Sequence, residues 1–353
     1  MVTGEDALRF LPQKNLLDFI KRLMSLGEVH APKADGPVID LRKIDDPNDV
    51  AIDFEQTRQG LRTIVEPQNE VLMTYDAKNS LPARESLPKM KDVVVFWCRP
   101  CDARALTFLD DNFYDDPTDD PYYSSRRQHL FIIGLGCDKP FPYCFCSSTG
   151  GNPFSKDNLD ILMTQIIGGY LLDIETERGK ELEKKTEDLL RAPTKEQIAS
   201  ANEIHEKALT KLRRKAPLDI AEFSKRSDEL FESPFWKKWG EKCIGCGICT
   251  YLCPTCWCFD MADIESKGKG YRIRSWDSCQ FPLFTLHTSG HNPRPDKASR
   301  VRQRVMHKYC YHPTNYQGRI ACVGCGRCSE LCPMDIDLIG ILEDISAVGE
   351  KDA

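Results

Sequence analysis

The chain has 353 residues, 41% hydrophobic and 29% charged, with 17 cysteines and a formal net charge of −6. That balance suits a soluble globular protein of two or three domains at roughly 100–200 residues each, and it lacks the basic excess of a nucleic-acid binder. No apolar run reaches the roughly 18–20 residues of a membrane span, and the opening segment, acidic at Glu5 and Asp6, is not expected to be a secretory signal.

Taken in chain order, residues 16–26 read as an amphipathic helix and residues 70–75 as a strand. Residues 92–97 and 130–135 are short, nearly continuous apolar runs rich in β-branched side chains. Such runs suit strands buried on both faces, hence a parallel sheet. The acidic, proline-containing stretch 110–120 reads as an exposed loop. Residues 1–174 therefore form an α/β domain with a small, mainly parallel sheet. Residues 175–238 are rich in Glu, Lys, Arg and Ala and read as a charged helical connector. Within it, Thr194 and Gln197 suit a helix start, and Ile198, Ala201, Ala208, Leu209 and Leu212 form a thin apolar stripe. Residues 239–353 form a mainly helical third region, and the fold class overall is α+β / α/β.

Cysteine is the outlier. With no export signal expected, a high cysteine count reads as metal binding or redox chemistry in a reducing cytoplasm. Cys243, Cys246, Cys249 and Cys253 stand in the spacing C-x2-C-x2-C-x3-C-P, and Cys322, Cys325, Cys328 and Cys332 repeat it. This is the bacterial dicluster ferredoxin spacing, in which the fourth cysteine serves the other cluster. The expected ligand sets are therefore Cys243, Cys246, Cys249 and Cys332 for one [4Fe-4S] cluster, and Cys322, Cys325, Cys328 and Cys253 for a second. Glycines at 245, 247, 324 and 326 let the backbone approach the cluster. The fourth cysteine is expected to open a helix, with proline in its first turn. Zinc is the competing metal, but its sites usually use two C-x2-C pairs or add histidine. The C-x3-C-x2-C formed by Cys249, Cys253 and Cys256 also matches a radical-enzyme spacing, without a barrel pattern around it.

Between the two runs, residues 254–321 are expected to form an inserted lobe. Arg294, Lys297, Arg300, Arg302, Arg304 and Lys308 crowd there beside the single acid Asp296. They suit cations facing a cluster, a solvated basic helix, or a dock for an acidic partner. His287 and His291 lack the glutamate of a zinc protease and are taken as structural.

Cys101 and Cys137 follow the two apolar strands, so a parallel sheet would bring both to its carboxyl edge, where open α/β sheets hold ligands. Cys144 and Cys146 lie a short loop beyond. These four suit a third iron–sulfur cluster or metal site, with buried structural thiols as the alternative and Cys98 as a substitute for Cys101. Of the remaining cysteines, buried thiols behave as small apolar residues by default. Cys256, Cys258 and Cys279 could form an extra redox or metal site.

Several stretches together resemble one family of dicluster iron–sulfur subunits. They are 98–106 (CRPCDARAL), 133–137 (IGLGC) followed by Cys144-Phe145-Cys146, 253–260 (CPTCWCFD), 276–279 (WDSC), 290–294 (GHNPR) and 322–328 (CVGCGRC). The family includes the sulfhydrogenase beta subunit, the A subunit of anaerobic sulfite reductase, and the iron–sulfur subunit of flavin oxidoreductases that serve heterodisulfide reductase. The resemblance spans roughly residues 90–340. It implies a cytoplasmic electron-transfer subunit whose neighbour is a flavin- and NAD(P)-binding subunit, and it favours Cys101 over Cys98 as a ligand. The sequence holds no G-x-G-x-x-G segment and no P-loop, so no flavin or nucleotide of its own is expected. A one-electron carrier needs a flavin partner to split a hydride. The expected function is single-electron transfer between that flavoprotein and a terminal catalytic subunit of hydrogenase, heterodisulfide reductase or sulfite reductase type. The alternatives are an enzyme reducing a small sulfur or disulfide substrate at the N-terminal cluster, and a zinc-stabilised scaffold.

Overall fold

The apolar runs around residues 95 and 132 lie at the middle of a seven-stranded sheet in the structure, a computed structural model that describes residues 7–76, 84–88, 90–114, 119–217, 223 and 225–348. In chain order the strands are β1 (Leu8–Pro12), β2 (Glu28–Asp35), β3 (Val38–Lys43), β4 (Asn69–Asp76), β5 (Arg84–Glu85), β6 (Val93–Cys98), β7 (Leu130–Leu135), β8 (Ile161–Ile166), β9 (Gly169–Ile174), β10 (Phe259–Ser266) and β11 (Lys269–Trp276). The large sheet runs β1-β9-β8-β7-β6-β2-β3. Its four inner strands β8, β7, β6 and β2 are parallel, while β1, β9 and β3 pair antiparallel at the edges.

The inner strands bury alternate side chains on opposite faces. Phe96, Ile133 and Met163 pack under Phe19 and Leu23 of helix Leu16–Leu26. Val95, Ile132 and Leu162 pack under Ala103, Leu106 and Leu109 of helix Pro100–Phe113. This two-sided cover is why those strands carry no polar alternation.

The strand expected over 70–75 forms, but as β4 of a second, four-stranded antiparallel sheet ordered β10-β11-β4-β5. The hairpin β10–β11 from the late part of the chain thus pairs with an early segment. The acidic stretch 110–120 is not wholly a loop. Helix Pro100–Phe113 runs through Asp110, whose carboxylate accepts from Tyr123 and Arg127, so local ion pairing extends the helix. Residues 115–118 of that stretch lie outside the described residues.

Helix Lys195–Lys211 begins at Thr194 with the capping box its sequence predicts. Ala201 and Ala208 are fully buried, and His205 bonds Thr164 of β8 at 2.8 Å and stacks on Phe154. Helices Trp236–Lys242, Lys297–Met306 and Leu338–Ala347 close a separate core around Trp236, Val305, Tyr309 and Leu342. Among the described residues, no helix is long and apolar enough to cross a membrane.

Candidate functional site

Each four-cysteine run folds as a tight loop followed by one helical turn. Gly245 and Gly247 in the first run, and Gly324 and Gly326 in the second, all have φ between +63° and +76°. This left-handed backbone favours glycine. It turns amides back onto sulfur: Gly245 N–H donates to Cys243 Sγ at 3.3 Å, and Gly324 N–H to Cys322 Sγ at 3.4 Å. The helical turns Ile248–Tyr251 and Arg327–Glu330 then carry Cys249 and Cys328.

The thiols surround cavities. Cys243, Cys246, Cys249 and Cys332 line the first, together with Cys328. Cys253, Cys322, Cys325 and Cys328 line the second, together with Arg304 and Lys308. Neither Cys253 nor Cys332 opens a helix, contrary to expectation. Each follows a helical turn by two residues and enters a further turn, closed by Cys256 N–H to Cys253 O and by Asp335 N–H to Cys332 O. Proline, lacking an N–H, suits that exit as well as it suits a helix start.

The N-terminal four line a third cavity, at the carboxyl edge of the large sheet. Cys101 sits in the first turn of helix Pro100–Phe113, Cys137 follows β7, and Cys144 and Cys146 come from the next loop. Arg99 ties this edge together by donating to the Gly136 and Glu55 carbonyls, both at 2.9 Å. Cys98 is not among the lining residues. Trp97 adopts φ +64° where the β6–β7 register shifts, and the Cys98 side chain lies in the apolar core beneath the sheet.

Cys325 also lines this third cavity. Phe145 N–H donates to Gly324 O at 2.8 Å, and Cys144 Sγ–H to Cys325 O at 3.6 Å. A Cβ on Gly324 would fall 2.7 Å from the Cys146 backbone. Gly324→Ala is therefore expected to cost about 2 kcal/mol or more, from the left-handed backbone and the forced separation. A lower denaturation midpoint of the iron-loaded chain would register it; an unchanged midpoint would contradict the close approach.

Charge distinguishes the second cavity. Lys308 is 3% exposed, and Arg304 8%. Lys308 Nζ donates to Thr255 Oγ1 and the Ala321 carbonyl at 2.9 and 3.0 Å. Arg304 reaches the Cys249 carbonyl at 3.1 Å and leaves its Nε without a partner. Burial works against the Lys308 charge, yet the thiols of Cys253 and Cys256 hold its pKa above the ordinary lysine value. Conversely, a hydrogen bond from Cys256, and then the charges of Lys308 and Arg304, hold the Cys253 thiol well below its usual range. Buried cations without carboxylates require another anion nearby. Burial pushes up the thiols of Cys101, Cys137, Cys144, Cys249, Cys322 and Cys325. Iron uptake must then release protons.

These features fit polynuclear iron–sulfur groups: soft thiols around a cavity, amides aimed at sulfur, and buried cations facing those thiols. Among the described residues, no three His, Cys, Asp or Glu side chains converge as a single metal ion requires.

Cys256, Cys258 and Cys279 line a further cavity, which shares Arg304 and Lys308 with the second. Cys310 lies in the helical core. His287 and His291 are exposed and in ring contact with each other. Three further side chains at the site carry no sequence signal. Asp102 and Arg327, the chain neighbours of Cys101 and Cys328, form a fully buried bidentate pair at 2.6 and 2.7 Å. Gln280 accepts from Cys243 Sγ at 3.8 Å and donates to the Arg300 carbonyl at 2.9 Å. Their partners are 225 and 20 or more residues away, beyond any local pattern.

Comparison with known proteins gives a concordant result. Residues 242–336 match a family model described as a 4Fe-4S dicluster domain. The chain is 31% identical over 331 residues to the sulfhydrogenase 2 subunit beta of Pyrococcus furiosus, covering 93% of this chain and 95% of that protein. It is 26% identical over 181 residues to the F420-dependent formate dehydrogenase subunit beta of Methanocaldococcus jannaschii, covering 48% of this chain and 37% of that protein. No solved structure matches.

Proposed function

We propose that this chain, which belongs to the family of the sulfhydrogenase beta subunit, is the electron-transfer subunit of a hydrogenase-type oxidoreductase complex. The observation that carries the reading is continuity. Cys328 lines both the first and second cavities, and Cys325 lines both the second and third. Three sites joined by shared residues make a wire from the surface beside the half-exposed Ile244 and Met334 to the carboxyl edge of the large sheet.

In this reading Cys243, Cys246, Cys249 and Cys332 hold one [4Fe-4S] group, Cys253, Cys322, Cys325 and Cys328 a second, and Cys101, Cys137, Cys144 and Cys146 a third. A bound group of this kind supplies one reversible electron. The chain's own residues set the terms. Glycine amides donate to the sulfurs, and Lys308 and Arg304 stabilise added negative charge. The partners in this reading are a flavin- and NAD(P)-binding subunit, which divides a hydride into single electrons, and a terminal catalytic subunit. The setting is cytoplasmic, where thiols stay reduced.

The test is anaerobic purification of the complex, metal analysis, and electron paramagnetic resonance during reductive titration. About twelve iron atoms per chain are expected, falling to about eight in Cys137→Ala. A chain whose iron cannot be reduced would end the reading. Eight iron atoms in both proteins would remove the third site alone.

A further inference from the structure

The hairpin β10–β11 brings two thiols together that neither ferredoxin run uses. Phe259 pairs with Trp276 at its open end, and Asp277 N–H donates to the Cys258 carbonyl at 2.9 Å. This register sets Cys258 beside the 277–279 segment. The Cys279 thiol and backbone amide both hydrogen-bond the Cys258 sulfur. Cys256 belongs elsewhere: its thiol bonds Cys253. Cys279 is held from behind by Gln280, whose Nε2 lies 3.5 Å from its sulfur. Cys258 is half-buried and Cys279 buried. Arg304 and Lys308 line the same cavity, with no carboxylate among its lining residues. None of the twelve thiols of the proposed clusters lines the cavity that Cys258 and Cys279 share.

We propose that Cys258 and Cys279 form a redox-active thiol pair that exchanges with a small-molecule disulfide. The geometry assigns the roles. Cys258 is the nucleophile, because it is the less buried residue of the two and its sulfur receives two hydrogen bonds. Those bonds, the thiol first, with help from Arg62 and Lys308, lower its pKa to about 7, where the thiolate is abundant at neutral pH and still a good nucleophile. The Cys258 thiolate attacks one sulfur of R–S–S–R, forms Cys258–S–S–R and expels R–S⁻. That leaving group takes the Cys279 proton and departs as R–SH. Cys279 then attacks the Cys258 sulfur, closing the Cys258–Cys279 disulfide and expelling the second R–S⁻. One thiolate, one thiol and one disulfide thus become one protein disulfide, one R–SH and one R–S⁻. Two electrons and two protons restore the thiols. The exchange stands apart from the electron-transfer reading; only this return step rests on it, with electrons arriving singly along the chain.

The test uses the full, iron-loaded chain under anaerobic conditions, with bis(2-hydroxyethyl) disulfide as the probe. One equivalent should yield a Cys258–Cys279 linkage, mapped by differential alkylation and peptide mass spectrometry. Cys279→Ser should retain a mixed disulfide on Cys258, and Cys258→Ser should slow release of the small thiol by at least about tenfold. Both variants should keep the iron content of the parent. Exchange without the Cys258–Cys279 linkage overturns the proposal, as does loss of iron from either variant, which would make these thiols metal ligands. Normal exchange in a chain whose iron cannot be reduced would sink the electron-transfer reading and leave this one standing.

Discussion

Replacing Lys308 with methionine is expected to lower the reduction potential of the second proposed cluster by about 100 mV. The size follows from Coulomb's law, since a unit charge at about 6 Å and an effective dielectric of about 20 is worth about 3 kcal/mol. For a one-electron couple that is roughly 120 mV. The direction follows from charge. Reduction adds an electron, a buried cation stabilises the product more than the reactant, and removing it favours the oxidised form. Lys308 is the strongest lever because no carboxylate among the described residues pairs with its charge, and it reaches Cys253 through a short relay. Its ammonium donates to Thr255 Oγ1, which lies 3.3 Å from the Cys253 sulfur. Redox titration followed by electron paramagnetic resonance reads the shift. Lys308→Arg should restore most of it, whereas a merely structural lysine would leave the potential unmoved in both variants.

The largest effect on stability is expected at Asp102. Its carboxylate and the Arg327 guanidinium are 0% and 1% exposed and form two hydrogen bonds. Arg327 Nε also donates to the Thr57 carbonyl at 2.8 Å. The pair therefore joins the helix behind Cys101 to the turn carrying Cys328. Asp102→Ala leaves the guanidinium buried and unpaired, which typically costs about 3–5 kcal/mol. The double variant Asp102→Leu, Arg327→Met removes both charges and should recover most of that loss. Urea denaturation of the iron-loaded protein measures both. If the single variant were as stable as the parent, the ion pair would not be what holds these two segments together. A double variant no better than the single would mean the Thr57 bond carries the stability instead.

Much of this architecture is visible in sequence where the physics is local. The runs at 93–98 and 130–135 announce buried parallel strands because both faces need apolar side chains. The thiol spacing announces the ferredoxin loops because the ligand geometry is set within twelve residues. The hairpin β8–β9 also left a signal, the Gly168-Gly169 turn between two apolar runs, with Gly168 at φ +85°. What stays hidden depends on distant partners. Nothing in residues 69–76 tells that they pair with 269–276, and β10 on the outside of that sheet is largely exposed, with Met261 and Ile264 facing solvent. The basic stretch was open to three readings because charge alone does not reveal burial. Spacing resolves part of it: Arg300, Arg304 and Lys308 recur every four residues on the buried face, while Arg302 lies outward against Phe231.

The crossed cysteines bear on how the protein is made. Cys332 lines the cavity of Cys243, Cys246 and Cys249, and the second run packs against the loop of Cys144 and Cys146. During translation, none of the three thiol sets has its full surroundings until the ribosome has delivered nearly the whole chain. Contacts between segments so far apart in sequence form slowly. A nascent polypeptide would therefore carry eight of these twelve thiols unclaimed before Cys322 emerges, and metal delivery would be a late event gated by closure of the carboxyl-terminal loop.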